Sequence, residues 1–355
     1  MCGDGMASSS RCLRCELGHR LPDRNPRPPV RGTSKAAAGP ARGPGVGRPA
    51  PHSRGPADHG LPSRDGGRGG TVAGVTAPRG LDAPTGLGPG DHVCWRYADA
   101  ADLSAAVLPF LDEGRRLGEQ LLLIGASRPE LLRVLAPLPG RDEMLADGQL
   151  QVHGTDAVYG SGDRLSPEDQ VAAYRTLVAK ARQRGCTGLR VAADVTPLAR
   201  QGAGARRQLH LYEHLADAIM GTVPMTALCL YDAALGDDVI GPVSLLHPDQ
   251  HSGSEEALAH LSGRGPSLSL HGEVDVTLAD DLLRALVDVA CDAPREVVLD
   301  LSGVRFLDVA GARALARAAR LLRREDVHLR LVGASRTAAR CLALFGLGGG
   351  GVVPE

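Results

Sequence analysis

From residue 88 to residue 248, short runs of consecutive apolar residues alternate with longer stretches where apolar residues return every third or fourth position. The runs at 120–124, 150–154, 188–194 and 225–232 are of strand length. The stretches at 101–117, 166–183, 204–220 and 236–246 carry the helical period, and Ser166 suits an N-cap. A further helix is predicted from Ser127, where Pro129 and Glu130 fit a first turn. Strands separated by helices imply βαβ crossovers and a largely parallel sheet covered on both faces. The expected fold is α/β, with one larger domain over residues 88–248.

Residues 249–265 read as a linker. The alternation then resumes on a smaller scale over 266–347: strand 267–274, a helix over 277–290 with Thr277 as N-cap, strand 295–303, a helix over 310–324, strand 327–333 and a short helix over 335–345. The glycine-rich end, 346–355, is expected to fray.

Residues 1–85 show neither period. They are rich in Pro, Gly, Ser and Arg, and such a segment buries too little to offset its ordering entropy, so it is expected to be disordered. A start codon assigned too early is an equal reading of this tail. The first 90 residues carry 13 Lys/Arg against 6 Asp/Glu, whereas the whole chain has a formal charge of −1. That balance gives no reason to expect nucleic acid or an anionic membrane as partner. No apolar run approaches the roughly 18–20 residues of a membrane span. The cysteines are scattered, and Cys229 and Cys341 lie in apolar runs as small buried side chains would. The expected setting is cytoplasmic, with reduced thiols.

Three segments, 271–286 (HGEVDVTLADDLLRAL), 297–315 (VVLDLSGVRFLDVAGARAL) and 329–347 (LRLVGASRTAARCLALFGL), together resemble a STAS domain of the anti-sigma-factor antagonist type. The resemblance implies a small α/β fold that binds a GHKL-type anti-sigma kinase and has no enzymatic activity of its own. In that family a Ser or Thr opening the second helix is phosphorylated; the exposed N–H groups of a helix start favour a phosphate. Here the turn reads Asp308-Val309-Ala310-Gly311, with no hydroxyl. These four residues are the expected partner-binding site. Asp308 either caps the helix or polarises the turn, and Ser302 either supports a bend or substitutes for the missing hydroxyl.

The segments 90–97 (GDHVCWRY), 189–199 (LRVAADVTPLA), 211–219 (LYEHLADAI), 223–232 (VPMTALCLYD) and 245–248 (LLHP) resemble a MEDS domain, a sensory type named from methanogen proteins and a dichloromethane-responsive regulator. This implies signal sensing on a RecA-like sheet. His92, Cys94 and Tyr97 are the ligand or sensor candidates. In an extended segment His92 and Cys94 point the same way, so the imidazole can lower the thiol pKa or the pair can ligate a metal. The bland alternative is that Cys94, Trp95 and Tyr97 simply pack the strand. His210 and His214 stand four apart on a helix without the H-E-x-x-H order, and are read as solvated. The turn after 120–124 (GASRPELL) and the stretch 201–207 (QGAGARR) lack a P-loop or dinucleotide fingerprint, which argues against ATP hydrolysis. Cys12, Cys15 and His19 make half a zinc pattern without a second pair.

The sequence thus points to a regulator and not an enzyme. A sensory domain perceives a small molecule or redox state, and a STAS-like domain passes it on by binding a GHKL kinase; no cofactor and no metal are assigned. The alternatives are a STAS-based scaffold and, more remotely, an enzyme with Cys94 as nucleophile and His92 as base.

Overall fold

A computed structural model of the chain describes residues 78–160, 165–251, 258–291 and 293–347. The disordered tail expected over 1–85 falls outside these for residues 1–77, as do Cys12, Cys15 and His19, and most of the frayed end. Among the described residues no helix is long and apolar enough to cross a membrane.

The larger domain is an all-parallel sheet of seven strands. In chain order they are β1 (Arg79–Gly80), β2 (His92–Tyr97), β3 (Gln120–Gly125), β4 (Leu150–Gly154), β5 (Leu189–Asp194), β6 (Met225–Asp232) and β7 (Asp249–His251). Their spatial order is β1-β7-β2-β6-β5-β3-β4. The helices are α1 (Ala100–Arg116), α2 (Arg128–Val134), α3 (Arg141–Asp147), α4 (Thr155–Tyr159), α5 (Pro167–Gln183), α6 (Thr196–Ala199), α7 (Ala203–Met220) and α8 (Asp237–Ser244). Alternate residues of each strand feed two apolar layers. Val93, Leu121, Leu123 and Leu228 pack under α1, α2 and α3. Cys94, Leu122, Ile124 and Cys229 pack under α5, α7 and α8. Burial on both faces is why these strands read as continuous apolar runs. Connections leaving β2 and β3 cover one face and those leaving β5 and β6 the other. Crevices therefore open at the carboxyl ends, between β2 and β6 and between β3 and β5, where open parallel sheets hold their ligands.

The smaller domain has strands β8 (Ala259–Arg264), β9 (Ser267–Val274), β10 (Glu296–Leu307) and β11 (His328–Val332), in the order β11-β10-β9-β8. Among the described residues only the β8–β9 pair is antiparallel. Helices α9 (Ala279–Ala290), α10 (Val309–Arg324) and α11 (Arg336–Ala343) complete it. β10 is bulged between Asp300 and Gly303, and there the Ser302 N–H donates to Asp300 Oδ1 at 2.8 Å. Ser302 thus lies within β10, at this register shift.

The pattern misplaced several boundaries. The segment 249–265 is not a free linker: β7 lies inside the larger sheet and β8 begins the smaller one. Arg79 and Gly80 pair with β7, so order begins before residue 85. The second domain's first helix starts at Ala279, not Thr277; the Thr277 N–H and hydroxyl are held by Asp275 in the preceding turn. Strands of two or three residues carry too little pattern to stand out.

The two domains share a packed interface. Leu245 and Leu246 join the apolar core of the smaller domain, and the Leu261 N–H donates to the Leu245 carbonyl at 2.7 Å. α9 lies against α8 so closely that a Cβ on Gly241 would stand 2.2 Å from Asp281 Oδ2. Arg284 donates to the Asp238 carbonyl at 2.7 Å.

Inside the larger domain, Arg190 is wholly buried on β5. Its guanidinium donates to Glu119, to Glu113 Oε2 at 3.1 Å and to the Leu87 carbonyl at 2.8 Å, and lies over the Phe110 ring. Replacing Arg190 with Met leaves the buried Glu119 carboxylate without its cation. The expected cost is about 3–5 kcal/mol, read as a lowered urea midpoint. Adding Glu119→Gln to that variant should restore part of the loss.

At the domain interface, burial pushes the Asp281 carboxyl up to about 6, with Asp280 and Asp237 adding to the shift and Arg284 and Arg96 opposing it. An unfolded Asp titrates near roughly 3.9, so between about pH 4 and 6 the folded chain holds the extra proton and stability falls as pH rises. Thermal unfolding across pH 4–7 should show Asp281→Asn gaining on the wild type by about 1–2 kcal/mol through this window. Parallel curves would refute the assignment.

Candidate functional site

Four chemically active side chains from four separate segments meet beneath α7. His92 opens β2, with its side chain on the same face as Cys94. Parallel pairing sets His92 beside Ala227 and Cys94 beside Cys229 on β6. Glu213 comes from the middle of α7, and His247 from the connection between α8 and β7. His92, Glu213 and His247 have no exposed surface, and Cys229 is buried with them.

Glu213 is the hub. Its Oε2 lies 3.3 Å from His92 Nε2, 3.5 Å from His247 Nε2 and 3.6 Å from Cys229 Sγ, while Oε1 accepts from the Tyr231 hydroxyl at 2.9 Å. Cys229 Sγ also stands 3.6 Å from His92 Nε2. The other nitrogen of His92 faces Asp217 Oδ1 at 3.6 Å, and Asp217 Oδ2 pairs with His260 of β8 at 3.0 Å. A line of polar groups therefore runs from the central sheet into the first strand of the smaller domain.

Burial opposes charge on His92, but Cys229, Asp217 and Glu213 more than offset it and hold its pKa well above that of a free imidazole. Burial would likewise raise Glu213, yet His92 and the Tyr231 hydroxyl keep it below the ordinary carboxylate value. Burial and the neighbouring His92 push His247 down to about 3, leaving it neutral. Cys229 is pushed up to about 12 by burial and Glu213, so without another cation it stays a thiol.

Of the sequence candidates, only His92 belongs to this cluster. Its thiol neighbour is Cys229 and not Cys94. Burial drives the Cys94 pKa up instead of lowering it, the reverse of what a reactive thiolate needs. Tyr97 lies elsewhere, as the last residue of β2. There its hydroxyl donates to Asp194 Oδ2 at 3.2 Å, near Thr196. Trp95 faces the opposite layer and stacks on His251 with ring centroids 3.7 Å apart. His210 and His214, expected in solvent, are buried at the domain interface, where His210 Nδ1 meets Asp288 Oδ2 at 2.7 Å. Glu213, Cys229, His247, Asp217 and His260 escaped the sequence reading. Only the pairing of β2 with β6 and the seat of α7 bring them together.

At the far side of the smaller domain, Asp308 caps α10: its Oδ1 accepts from the Gly311 N–H at 2.7 Å. This bears out the capping role. Gly311 is required by close approach, since a Cβ there would lie 2.7 Å from Leu307 Cδ1 and 2.9 Å from Val274 Cγ1. Ala310 packs partly on the core. Val309, Phe306 and Val276 are among the few large apolar side chains left exposed, and all three lie at the end of the sheet where Val274 pairs with Leu307.

Comparison with known proteins agrees with this two-part architecture. The family model described as MEDS, the methanogen/methylotroph DcmR sensory domain, matches residues 91–248. That described as Mlab, STAS domain, matches residues 258–354. No curated protein matches. Among solved structures, the chain is similar to the crystal structure of DUF1998 helicase MrfA bound to DNA and AMPPNP, at 9% identity and a TM-score of 0.27. The alignment covers 66% of this chain and 34% of the helicase, so the chain spans about a third of that protein. A likeness this slight carries no argument. The chain is a MEDS sensory domain followed by a STAS domain.

Proposed function

We propose that the protein is a signalling regulator in which the MEDS domain perceives a small molecule and the STAS domain passes the signal on by binding a GHKL-type anti-sigma kinase. The observation that carries this reading is the surface around the capped turn. Val276, Phe306 and Val309 expose apolar side chains beside a helix start organised by Asp308 and Gly311. A cluster of that kind supports protein contact better than solvent. Neither Val309 nor Ala310 accepts a phosphate, so the usual covalent switch of such a turn is missing. Control is then assigned to the sensory domain, whose α7 and α8 pack on α9, the helix next to α10.

The test is affinity capture by the full chain, by Ala310→Ser and by Val309→Asp from an extract of the source organism with ATP present, with bound kinases identified by mass spectrometry. Wild type and Ala310→Ser should both retain a GHKL kinase, with phosphate added only to the introduced serine. Val309→Asp should bind at least about tenfold more weakly, a loss of roughly 1.4 kcal/mol at an interface centre. Capture by none of the three, with concentration-dependent self-association instead, would replace this reading with the scaffold.

A further inference from the structure

The His92–Glu213–Cys229–His247 cluster is poorly explained as a set of hydrogen bonds. At 3.3 and 3.5 Å, its two histidine–carboxylate separations are long for hydrogen bonds of nitrogen to oxygen. His247 Nε2 has no hydrogen-bond partner although the residue is fully buried. Its Nδ1 lies 2.9 Å from the Val243 carbonyl and donates to it, so the bare lone pair of Nε2 points into the cluster. A buried nitrogen lone pair aimed at a carboxylate is repelled unless something positive lies between them.

The same separations fit a metal ion. A tetrahedral zinc with bonds of roughly 2.0–2.1 Å to nitrogen or oxygen and 2.3 Å to sulfur sets its ligand atoms about 3.3–3.6 Å apart. The observed spacings are 3.3 Å for His92–Glu213, 3.5 Å for His247–Glu213, and 3.6 Å for Cys229 to both His92 and Glu213. One atom from each of the four residues lies within 4.8 Å of each of the others. We propose that His92 Nε2, Glu213 Oε2, Cys229 Sγ and His247 Nε2 form a closed tetrahedral site for a divalent transition-metal ion, with zinc as the fitting ion.

Supporting groups surround three of the four ligands, as metal sites require. Val243 fixes the tautomer of His247, Tyr231 donates to the free oxygen of Glu213, and Asp217 faces the outer nitrogen of His92. Charge also balances: a dication with one thiolate and one carboxylate is neutral, which suits a site with no exposed surface. The protons on Cys229 Sγ and His92 Nε2 leave to solvent as the bonds to the metal form. Four protein ligands and no open position make the site structural and not catalytic. It ties β2, β6, α7 and the α8–β7 connection into one unit, and Asp217 joins that unit to His260 of the STAS domain.

This inference is independent of kinase binding, and its test reads the metal alone. The full chain is stripped with a chelator and titrated with Zn²⁺, then separately with Co²⁺. One zinc per chain is expected, unchanged in a variant carrying Cys12→Ser and Cys15→Ser. The cobalt form should show a thiolate-to-metal absorption that persists in Cys94→Ser and disappears in Cys229→Ser. His247→Ala should weaken binding by at least about 10–100-fold, the loss seen when even outer-shell partners are removed. Far-UV circular dichroism confirms that each variant folds. If Cys229→Ser does not fold, X-ray absorption at the zinc edge of the wild type decides, with one sulfur neighbour expected. Failure of the folded chain to retain zinc, a cobalt spectrum indifferent to Cys229→Ser, or no sulfur at the zinc edge would each overturn the site. Metal binding with no kinase capture would remove only the function proposed above.

Discussion

A carboxylate with no contact to water sets the terms for the rest of the larger domain. Glu213 sits in the middle of a helix pressed on the central strands, where a lone charge costs several kcal/mol. Its neighbours are what that cost demands. A histidine opens β2 where an aliphatic residue would otherwise continue the strand. Cys229 and Tyr231 occupy alternate positions of β6, and His247 is aimed back from the following connection. Removing one of these partners does not relieve the site, because it strands the charge. The cluster therefore constrains the start of β2, the seat of α7 and the path of the chain into β7 together.

The same helix faces the second domain. Glu213 and Asp217 are four residues apart, as are His210 and His214, so α7 offers neighbouring stripes to the sheet and to β8 and α9. Asp217 places one oxygen toward His92 and the other against His260. His210 reaches Asp288 on α9. A helix this well held behaves as one piece. α7 therefore touches both the buried cluster and the STAS domain directly.

Much of the architecture was legible because it rests on local pattern. Continuous apolar runs gave the strands buried on both faces, the helical period gave α1, α5 and α7, and the Asp308 turn announced its cap. What stayed hidden depends on pairing over long sequence distances. Cys229 looked like an ordinary small core residue, and in composition it is one; only its register against β2 puts it beside His92 instead of Cys94. His210 and His214 looked solvated because helical spacing alone does not say which stripe a second domain will cover. The segment 249–265 looked like a linker because its strands are short and polar. The backbone partners of β7 lie in β1 and β2, which no local window contains, whereas β8 pairs with the adjacent β9.

On the proposed reading, the absence of a hydroxyl from the Asp308–Gly311 turn fits what the turn does hold. Phosphorylation would bring roughly two negative charges to the start of α10, beside the exposed Val276, Phe306 and Val309. Such a charge disrupts an apolar contact without unfolding the domain. In this chain the turn holds its cap and the close-packed glycine, and neither Val309 nor Ala310 carries a hydroxyl. A binding surface that is permanently formed can still be regulated if its support has two arrangements, and the support here is shared. α9 stands between α10 and the sensory helices, with the part-buried Asp281 at its contact with α8. On that reading, a signal that moves α7 or α8 acts on α9 directly. On the proposed reading, the fold has moved the switch from a side chain on the binding surface to the interface behind it.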